Sequence, residues 1–432
     1  VVDGHIVFGV FTDTIFLMII VALFLLFYTV LGGLWAVVVN DFVQLVLALL
    51  GAIAVGYVAL GASGGMTDLL IKLEELDRPE LLSLFPWTLT KDGFNWLDGS
   101  GISITTFLAF ISLQWWSFRR SDGGGEFIQR LLATKDEKQA TLAGIVFLIV
   151  NYLIRSWLWI VVGLAGLVLL PYQTDWELSY PNLAVAYLPP VALGLVVVSL
   201  VAAFMSTVST SINWGASYLA HDLYKRFLRP SAGPREMILM GQFASILLLL
   251  IGVVTALFSN SIGSMFRLVI AIGTGPGAVL VLRWFWWRIN ALAELSAMLT
   301  GFFVGLITSV SPYLTIEDFG QRLLFTTSFT ALIWLLTLFF TEPESDETLK
   351  NFVLQVRPPG PGWREIRKKL NLDPVDSFLV LGSRFIFGSG ILYGSLVSIG
   401  AFLLHQERSG WVALSIAVSC VFLIKKTRLI TQ

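Results

Sequence analysis

Stretches of about 20 apolar residues recur along the whole of this chain, from FLMIIVALFLLFYTV near its start to VALSIAVSCVFLI near its end. A helix of about 20 such residues crosses a hydrocarbon core of ~30 Å. The expected fold class is therefore an all-α polytopic membrane protein. Length alone, 432 residues, would suggest about three soluble domains. Only 13% of the residues are charged, about half the share of a soluble globular protein, and mean hydropathy is +0.80. Eleven spans are expected, near 12–31, 38–61, 101–118, 141–169, 190–212, 237–258, 264–285, 292–311, 322–341, 379–404 and 410–424.

Loop charge gives these spans an orientation. One set of loops carries Arg119, Arg120, Arg130, Lys135 and Lys138, then Lys225, Arg226, Arg229 and Arg235, then Arg283 and Arg288. It continues with the basic residues of 350–369 and of 425–428. The alternate set has only Lys72, Arg78, Lys91, Arg322 and Arg408. Excess Lys and Arg mark the cytoplasmic side, which puts the first residues outside and the C-terminus inside. The outer loop 62–100 contains MTDLLIKLEEL, the pattern of a short amphipathic helix lying over the membrane face. The inner loop 342–378 holds RPPGPGW and then REIRKKL, either a basic helix held by anionic lipid or a solvated linker.

Other function classes find little support. A net charge of −1 argues against a nucleic-acid partner, and Cys420 is the sole cysteine, so no disulfide framework or thiolate metal cluster is expected. P-loop, histidine-cluster and nucleophile-elbow patterns are absent, and His5, His221 and His405 all fall at expected membrane edges. The opening VVDGHIVFGV has neither an initiator Met nor the basic start of a signal peptide. The chain is accordingly expected to be the C-terminal part of a longer protein.

The densest polar feature lies inside an apolar run. Ser206, Thr207, Ser209, Thr210 and Ser211 place five hydroxyls in six residues. Ala203, Ser206, Thr207 and Thr210 share one helical face. Sodium, a hard cation, takes oxygen ligands, and two hydroxyls with a carbonyl one turn earlier can supply three. The same residue types also bond back to the i−4 carbonyl or allow close helix packing. In YTVLGGLWAVVVNDFVQ, Gly32 and Gly33 suit a helix end, and Asn40 and Asp41 suit a new start. Asp41 is then either a cap or a carboxylate at an ion mouth. Gly273, Gly275, Pro276 and Gly277 interrupt an apolar run, as a broken transporter helix or as a packing kink. Ser112, Trp115 and Trp116 share a face that suits either a membrane aromatic belt or a small polar ligand. Arg155, Arg267 and Arg384 fall within or at the ends of apolar runs, where each either snorkels or faces an anionic group.

GGLWAVVVNDFVQ, FIQRLLATK and AAFMSTVSTSINWGASYLAHDLYKRF together resemble the sodium:solute symporter family, and the likeness runs from about Tyr28 to Phe340. RWFWWRINALAELSAM resembles a bacterial branch of it. The resemblance implies a LeuT-type core of two inverted five-helix repeats that couples sodium entry to solute uptake by alternating access. The chain would form one partial membrane transporter domain over 1–432, starting at the fourth core helix, with the first helices missing. The second repeat would occupy 101–285, accessory helices 286–341, the cytoplasmic basic loop 342–378 and the C-terminal helices 379–432.

The resemblance also assigns roles. The Ala203 carbonyl and the Ser206 and Thr207 hydroxyls would hold sodium, and Asp41 with Thr210 would serve sodium exit. Ser112, Gln114, Trp115, Tyr152 and Arg267 would line the substrate site. Trp115 aligns with an aromatic that stacks on sugar, while Ser112 falls where sugar carriers have Asn. A sugar-contacting Lys is replaced near Tyr152, across a one-residue insertion, and a Gln falls near Leu268, beside Arg267. These departures separate the chain from glucose and galactose carriers. The expected activity is sodium-coupled symport of a small organic solute (a sugar, amino acid or carboxylate) across a bacterial-like cell inner membrane, with Na⁺ as coupling ion and no other cofactor. The partners are the solute, sodium and the lipid bilayer. The 432 residues alone, holding half of each site, are not expected to transport. The alternative is a sensory or structural membrane module that uses a symporter-like domain without transport.

Overall fold

The structure, a computed structural model, describes residues 7–8, 11–90, 93–114, 124–257, 261–311, 314 and 316–429. The helices, numbered in chain order, begin with α1 (Asp13–Ala62), α2 (Met66–Glu74), α3 (Ile104–Ala109), α4 (Gly125–Leu132), α5 (Glu137–Leu148) and α6 (Arg155–Leu169). Then come α7 (Ser179–Tyr187), α8 (Pro190–Ser217), α9 (Pro234–Leu257), α10 (Ile262–Leu282) and α11 (Ala291–Val310). The series closes with α12 (Phe319–Phe340), α13 (Asp346–Val356), α14 (Arg364–Lys369), α15 (Phe378–Leu403) and α16 (Glu407–Leu429). Three wider π-helical segments adjoin them: Phe110–Gln114 after α3, Ile149–Ile154 between α5 and α6, and Tyr218–Leu228 after α8.

Among the described residues nine helices are long and apolar enough to cross a membrane. Two of the eleven expected spans account for the difference. The runs 12–31 and 38–61 belong to the single helix α1, of which Val37–Ala62 qualifies as a span. Gly32 and Gly33 do not end it, because glycine inside a helix costs only about 1 kcal/mol each and continuing keeps the backbone bonds. The expected 101–118 span is represented by the shorter apolar helix Ile104–Leu113.

The chain divides into two compact units. The first comprises residues 1–65 and 158–260. In it α8 packs along α1, with α9 and α7 alongside. Leu25, Met205 and Ile212 form its buried core, closed by Val208 and Leu249. The tightest approach is at Gly51, where a Cβ would lie 2.1 Å from Ser199 Oγ. Only a residue without a side chain lets the two helices meet there.

The second unit comprises residues 66–157 and 261–432. Its centre is the α10–α11–α12 trio. The Gly273–Gly277 stretch does not break α10, which runs through Pro276 without interruption. The glycines serve contact instead. A Cβ on Gly275 would stand 2.6 Å from Gly301 Cα, and one on Gly305 2.8 Å from Ile272 Cα. Within a membrane, where burial of apolar surface drives little association, such close contact is the main attraction between helices.

An acidic clasp joins α3 to α12. Asp318 accepts from Ser103 Oγ at 2.5 Å, from Thr106 Oγ1 at 3.3 Å and from the Gln321 N–H at 2.8 Å, while Gly320 N–H donates to Thr106 Oγ1 at 3.0 Å. Each helix start is thus capped with help from the other. Burial pushes the Asp318 carboxyl up, but the bonds from Ser103, Gln321, Thr106 and Gly320 outweigh it and hold the group below its usual value. The sign follows: a depressed folded value gives stability that is full above the unfolded carboxyl range, near pH 4, and is lost as pH falls through the folded value. Asp318→Asn should therefore lower the thermal midpoint at neutral pH, with the gap to the parent closing below about pH 4. A gap that stayed constant across an acid titration followed by thermal unfolding would remove the carboxylate from this account.

Two expected loops carry structure of their own. Helix α2 buries Leu69, Leu70 and Leu73. After it, a hairpin pairs Trp87–Thr90 with Gly93–Trp96, and Trp87 and Trp96 both meet Phe107 of α3 edge-on, at 5.0 and 5.7 Å. The 342–378 segment is neither a bare linker nor a lone basic helix. Leu349, Val353 and Trp363 form a small core with Trp287, Phe352 and Ile366. Trp363 Nε1 donates to the Arg283 carbonyl at 3.0 Å, and the Gly362 N–H to the Phe285 carbonyl at 3.0 Å. The segment is thereby fastened over the turn between α10 and α11.

Candidate functional site

The hydroxyl-rich part of α8 meets α1 inside the first unit. Ser206 Oγ donates to Asp41 Oδ1 at 2.7 Å, and Thr210 Oγ1 donates to Asp41 Oδ2 at 3.3 Å. One carboxylate thus holds two hydroxyls one helical turn apart. Asp41 is inside α1 and caps no helix start, which corrects the expected break before it. Thr207 Oγ1 donates to the Ala203 carbonyl at 3.1 Å. Ser209 is buried and donates to the Ser206 carbonyl at 3.2 Å.

The stripe is therefore divided by exposure. Ser206 and Thr210 are half-buried toward Asp41, whereas Ala203 and Thr207 are exposed. A hydroxyl has one proton and two lone pairs. With its proton committed to a carboxylate or a carbonyl, it turns acceptor lone pairs elsewhere. Ser206 and Thr207 are thus equipped to offer oxygen to a hard cation. Among the described residues no three His, Cys, Asp or Glu side chains converge as a metal site, so neutral oxygens beside one carboxylate define the local chemistry.

The substrate residues expected from sequence are less closely drawn together. All of those described belong to the second unit. Ser112 lies in the Phe110–Gln114 π segment, exposed, and donates to the Leu108 carbonyl at 2.5 Å. Leu113 of this segment packs against a buried cluster of Ala109 from α3, Ile270 and Ala271 from α10, and Leu323 from α12. Arg267 is one turn earlier on α10, exposed, and close enough to Arg322 for their charges to repel. Tyr152 lies in the Ile149–Ile154 π segment, edge-on to Phe147 at 6.0 Å. Ser112, Tyr152 and Arg267 share no hydrogen bond or ring contact among the described residues. The Gln114 side chain, and Trp115 and Trp116 entirely, lie outside the described residues. Of the other span arginines, Arg384 pairs with Asp376 at 2.8 Å, while Arg155 is exposed.

The Asp41–Ser206 bond joins residues 165 apart in sequence, and spacing along either helix could not reveal it. The i, i+4 spacing of Ser206 and Thr210 marked the α8 side of it, and the family resemblance paired Asp41 with Thr210.

The sodium:solute symporter family profile matches residues 8–301, and the chain belongs to that family. It is 25% identical to the sodium/glucose cotransporter of Vibrio parahaemolyticus, over 76% of this chain and 62% of that protein. It is 26% identical to the high-affinity proline transporter of Bacillus subtilis (strain 168), over 63% and 55%. It is 27% identical to the sodium/myo-inositol cotransporter 2 of Sus scrofa, over 66% and 46%. The chain thus spans about half to three-fifths of these relatives' length. A solved structure of a Na⁺-coupled sialic acid symporter, in a substrate-bound outward-open state, superposes with a TM-score of 0.58 at 20% identity, covering 77% of this chain and 68% of that one. The fold is accordingly the all-helical LeuT-type membrane fold.

Proposed function

We propose that this chain is part of a sodium-coupled symporter that moves a small organic solute by alternating access. The observation that carries the reading is the Asp41 carboxylate holding Ser206 and Thr210 beside the exposed residues Ala203 and Thr207. Sodium sits on the Ala203 carbonyl and the Ser206 and Thr207 hydroxyls, and further oxygens come from outside the described residues. Leaving that face, it passes Asp41 and Thr210. One sodium ion entering down its potential supplies ~2.3 kcal/mol per 100 mV, which drives solute uptake.

Ser112, Gln114, Trp115, Tyr152 and Arg267 remain the proposed solute-contacting set. The relatives named above carry glucose, proline and myo-inositol, which supports a solute among sugars, polyols and amino acids. The protein is placed in a bacterial-like inner membrane with its C-terminus in the cytoplasm, a reading supported by the asymmetry of Lys and Arg between loops.

The test uses purified full-length carrier and sodium as the probe. Sodium, but not choline, should raise its thermal midpoint, as a ligand that binds only the folded state does. Ser206→Ala and Thr207→Ala should each shift the sodium needed for half the effect upward by about tenfold, the worth of one charge-assisted bond of ~1.5 kcal/mol. An equal response to sodium and choline in the parent protein would defeat the reading, and unchanged sodium titrations in both variants would defeat the assignment of the face.

A further inference from the structure

We propose that residues 357–369 form a docking surface for anionic phospholipid headgroups, held against the bilayer by their attachment to the turn between α10 and α11. None of these residues belongs to the sodium face or to the solute-contacting set.

Three observations converge on a lipid surface. The first is place. Candidate membrane spans end at Leu282 and Phe340 and begin at Ala291 and Phe378. The 342–378 segment joins two of these four ends and is bonded to the turn between the other two. Arg288 Nη2 adds a bond to the Thr341 carbonyl at 2.5 Å. A Cβ on Gly362 would lie 2.5 Å from the Phe285 carbonyl oxygen, so the two backbones are in direct contact. The segment is thereby kept at the level where the spans leave the hydrocarbon. Phe339, Phe340, Phe378 and Leu379 are exposed at those span ends, as apolar side chains facing acyl chains would be.

The second is charge without a partner. Residues 357–369 carry five cations and one carboxylate, Glu365. Arg367 is buried and committed to the segment's own fold, since its Nη1 donates to the Pro358 and Gly360 carbonyls. Arg357, Arg364, Lys368 and Lys369 are exposed, and none makes an ion pair or a side-chain hydrogen bond with another described residue. Neighbouring arginines at the span ends differ. Arg283 pairs with Glu294 at 3.3 Å, and Arg384 with Asp376 at 2.8 Å.

The third is where the segment's other carboxylates are used. Glu344 accepts the Ala291 N–H at 2.8 Å. Asp346 and Glu347 lie in the first turn of α13, where the helix dipole favours them. Asp373 faces the buried charge of Arg367. Glu365 alone stands among the four exposed cations. Clusters of Lys and Arg beside a span attract anionic headgroups, and the attraction fades within a Debye length of ~8–10 Å. Only cations held close to the bilayer feel it, and the bonds to Arg283 and Phe285 hold these. Lipid that fixes the segment also fixes the end of α10, because those two carbonyls lie just beyond it.

The experiment titrates the full-length carrier, in a neutral detergent, with dioctanoyl-phosphatidylglycerol or dioctanoyl-phosphatidylcholine and follows the thermal midpoint. Half-maximal stabilisation should need roughly tenfold less of the glycerol lipid, and added salt should narrow the gap. Replacing Arg357, Arg364, Lys368 and Lys369 together by Gln should abolish the preference. Replacing Lys225, Arg226, Arg229 and Arg235 by Gln should leave it in place. Equal response to the two lipids in the parent protein would overturn the proposal. Equal loss in both quadruple variants would also overturn it, since the preference would then belong to cytoplasmic loop charge at large. Inorganic phosphate acting as well as the glycerol lipid would remove the bilayer as occupant. Midpoints without lipid show whether each variant is folded. Sodium-induced stabilisation, read on the same samples, separates loss of this surface from loss of the symporter reading.

Discussion

Asp41→Asn is expected to raise the sodium concentration for half-maximal stabilisation by roughly 100-fold, with Asp41→Glu recovering part of the loss. A carboxylate about 5 Å from a bound cation, at an effective dielectric near 20, contributes ~3 kcal/mol. Asp41 is in range because its oxygen is 2.7 Å from Ser206 Oγ, itself a proposed ligand. The two residues act through one hydrogen bond, so the effects of Asp41→Asn and Ser206→Ala should fall well short of adding in the double variant. Sodium titrations followed by thermal shift give all three numbers. If Asp41→Asn left sodium titration unchanged while Ser206→Ala weakened it, the carboxylate would be a helix-packing device and no more.

The second large effect is expected in the α10–α11–α12 trio. Gly275→Ala, Gly301→Ala and Gly305→Ala each place a methyl group within 2.6 to 2.8 Å of an atom on a neighbouring helix. For Gly275 and Gly305 that atom is backbone, and for Gly301 it is the Pro276 ring, with backbone only slightly further. Backbone and proline rings do not swing aside, so the helices must separate. Overpacking of this kind costs about 1–3 kcal/mol per site. Gly252 of α9 makes the control, because a Cβ there meets nothing within 4 Å. Gly252→Ala should leave stability unchanged or raise it by about 0.5–1 kcal/mol, through better helix propensity alone. Thermal unfolding of the four variants in one detergent decides the matter. Similar midpoints at Gly252 and Gly301 would refute the close-approach account.

Which parts of this were written in the sequence depends on the range of the interaction. Apolar run length marked nine of the spans, and the spacing of leucines in MTDLLIKLEEL marked α2, because both are set by neighbours along the chain. The stripe of hydroxyls on α8 was visible for the same reason. Its division was not. Whether Ser206 or Thr207 turns to a carboxylate depends on α1, and Asp41 is 165 residues away. The glycines of α10 showed that something special happens there, yet a break and a close contact require the same residue. Only the positions of Gly301, Gly305 and Thr330 distinguish them. The 342–378 segment read as a basic helix or a solvated linker because its apolar residues are few, and their partners, Trp287 and the turn at Arg283 to Phe285, precede them by some sixty residues or more.

The π segments add a consequence for the history of the molecule. A helix that closes its bonds one residue later accommodates an inserted residue without losing its ends. The segment at Ile149–Ile154 surrounds Tyr152, where the family resemblance implies a one-residue insertion relative to sugar carriers. Phe110–Gln114 surrounds Ser112, and Tyr218–Leu228 surrounds His221. Beyond Ile149–Ile154 the helix resumes as α6, rotated by about 100° relative to an uninterrupted one. A residue matched by alignment to a relative's ligand can therefore project from a different side of the rod. A single-residue insertion at one turn re-aims a whole helix face while the membrane span remains intact, and it offers a lineage of carriers a short route from one solute to another.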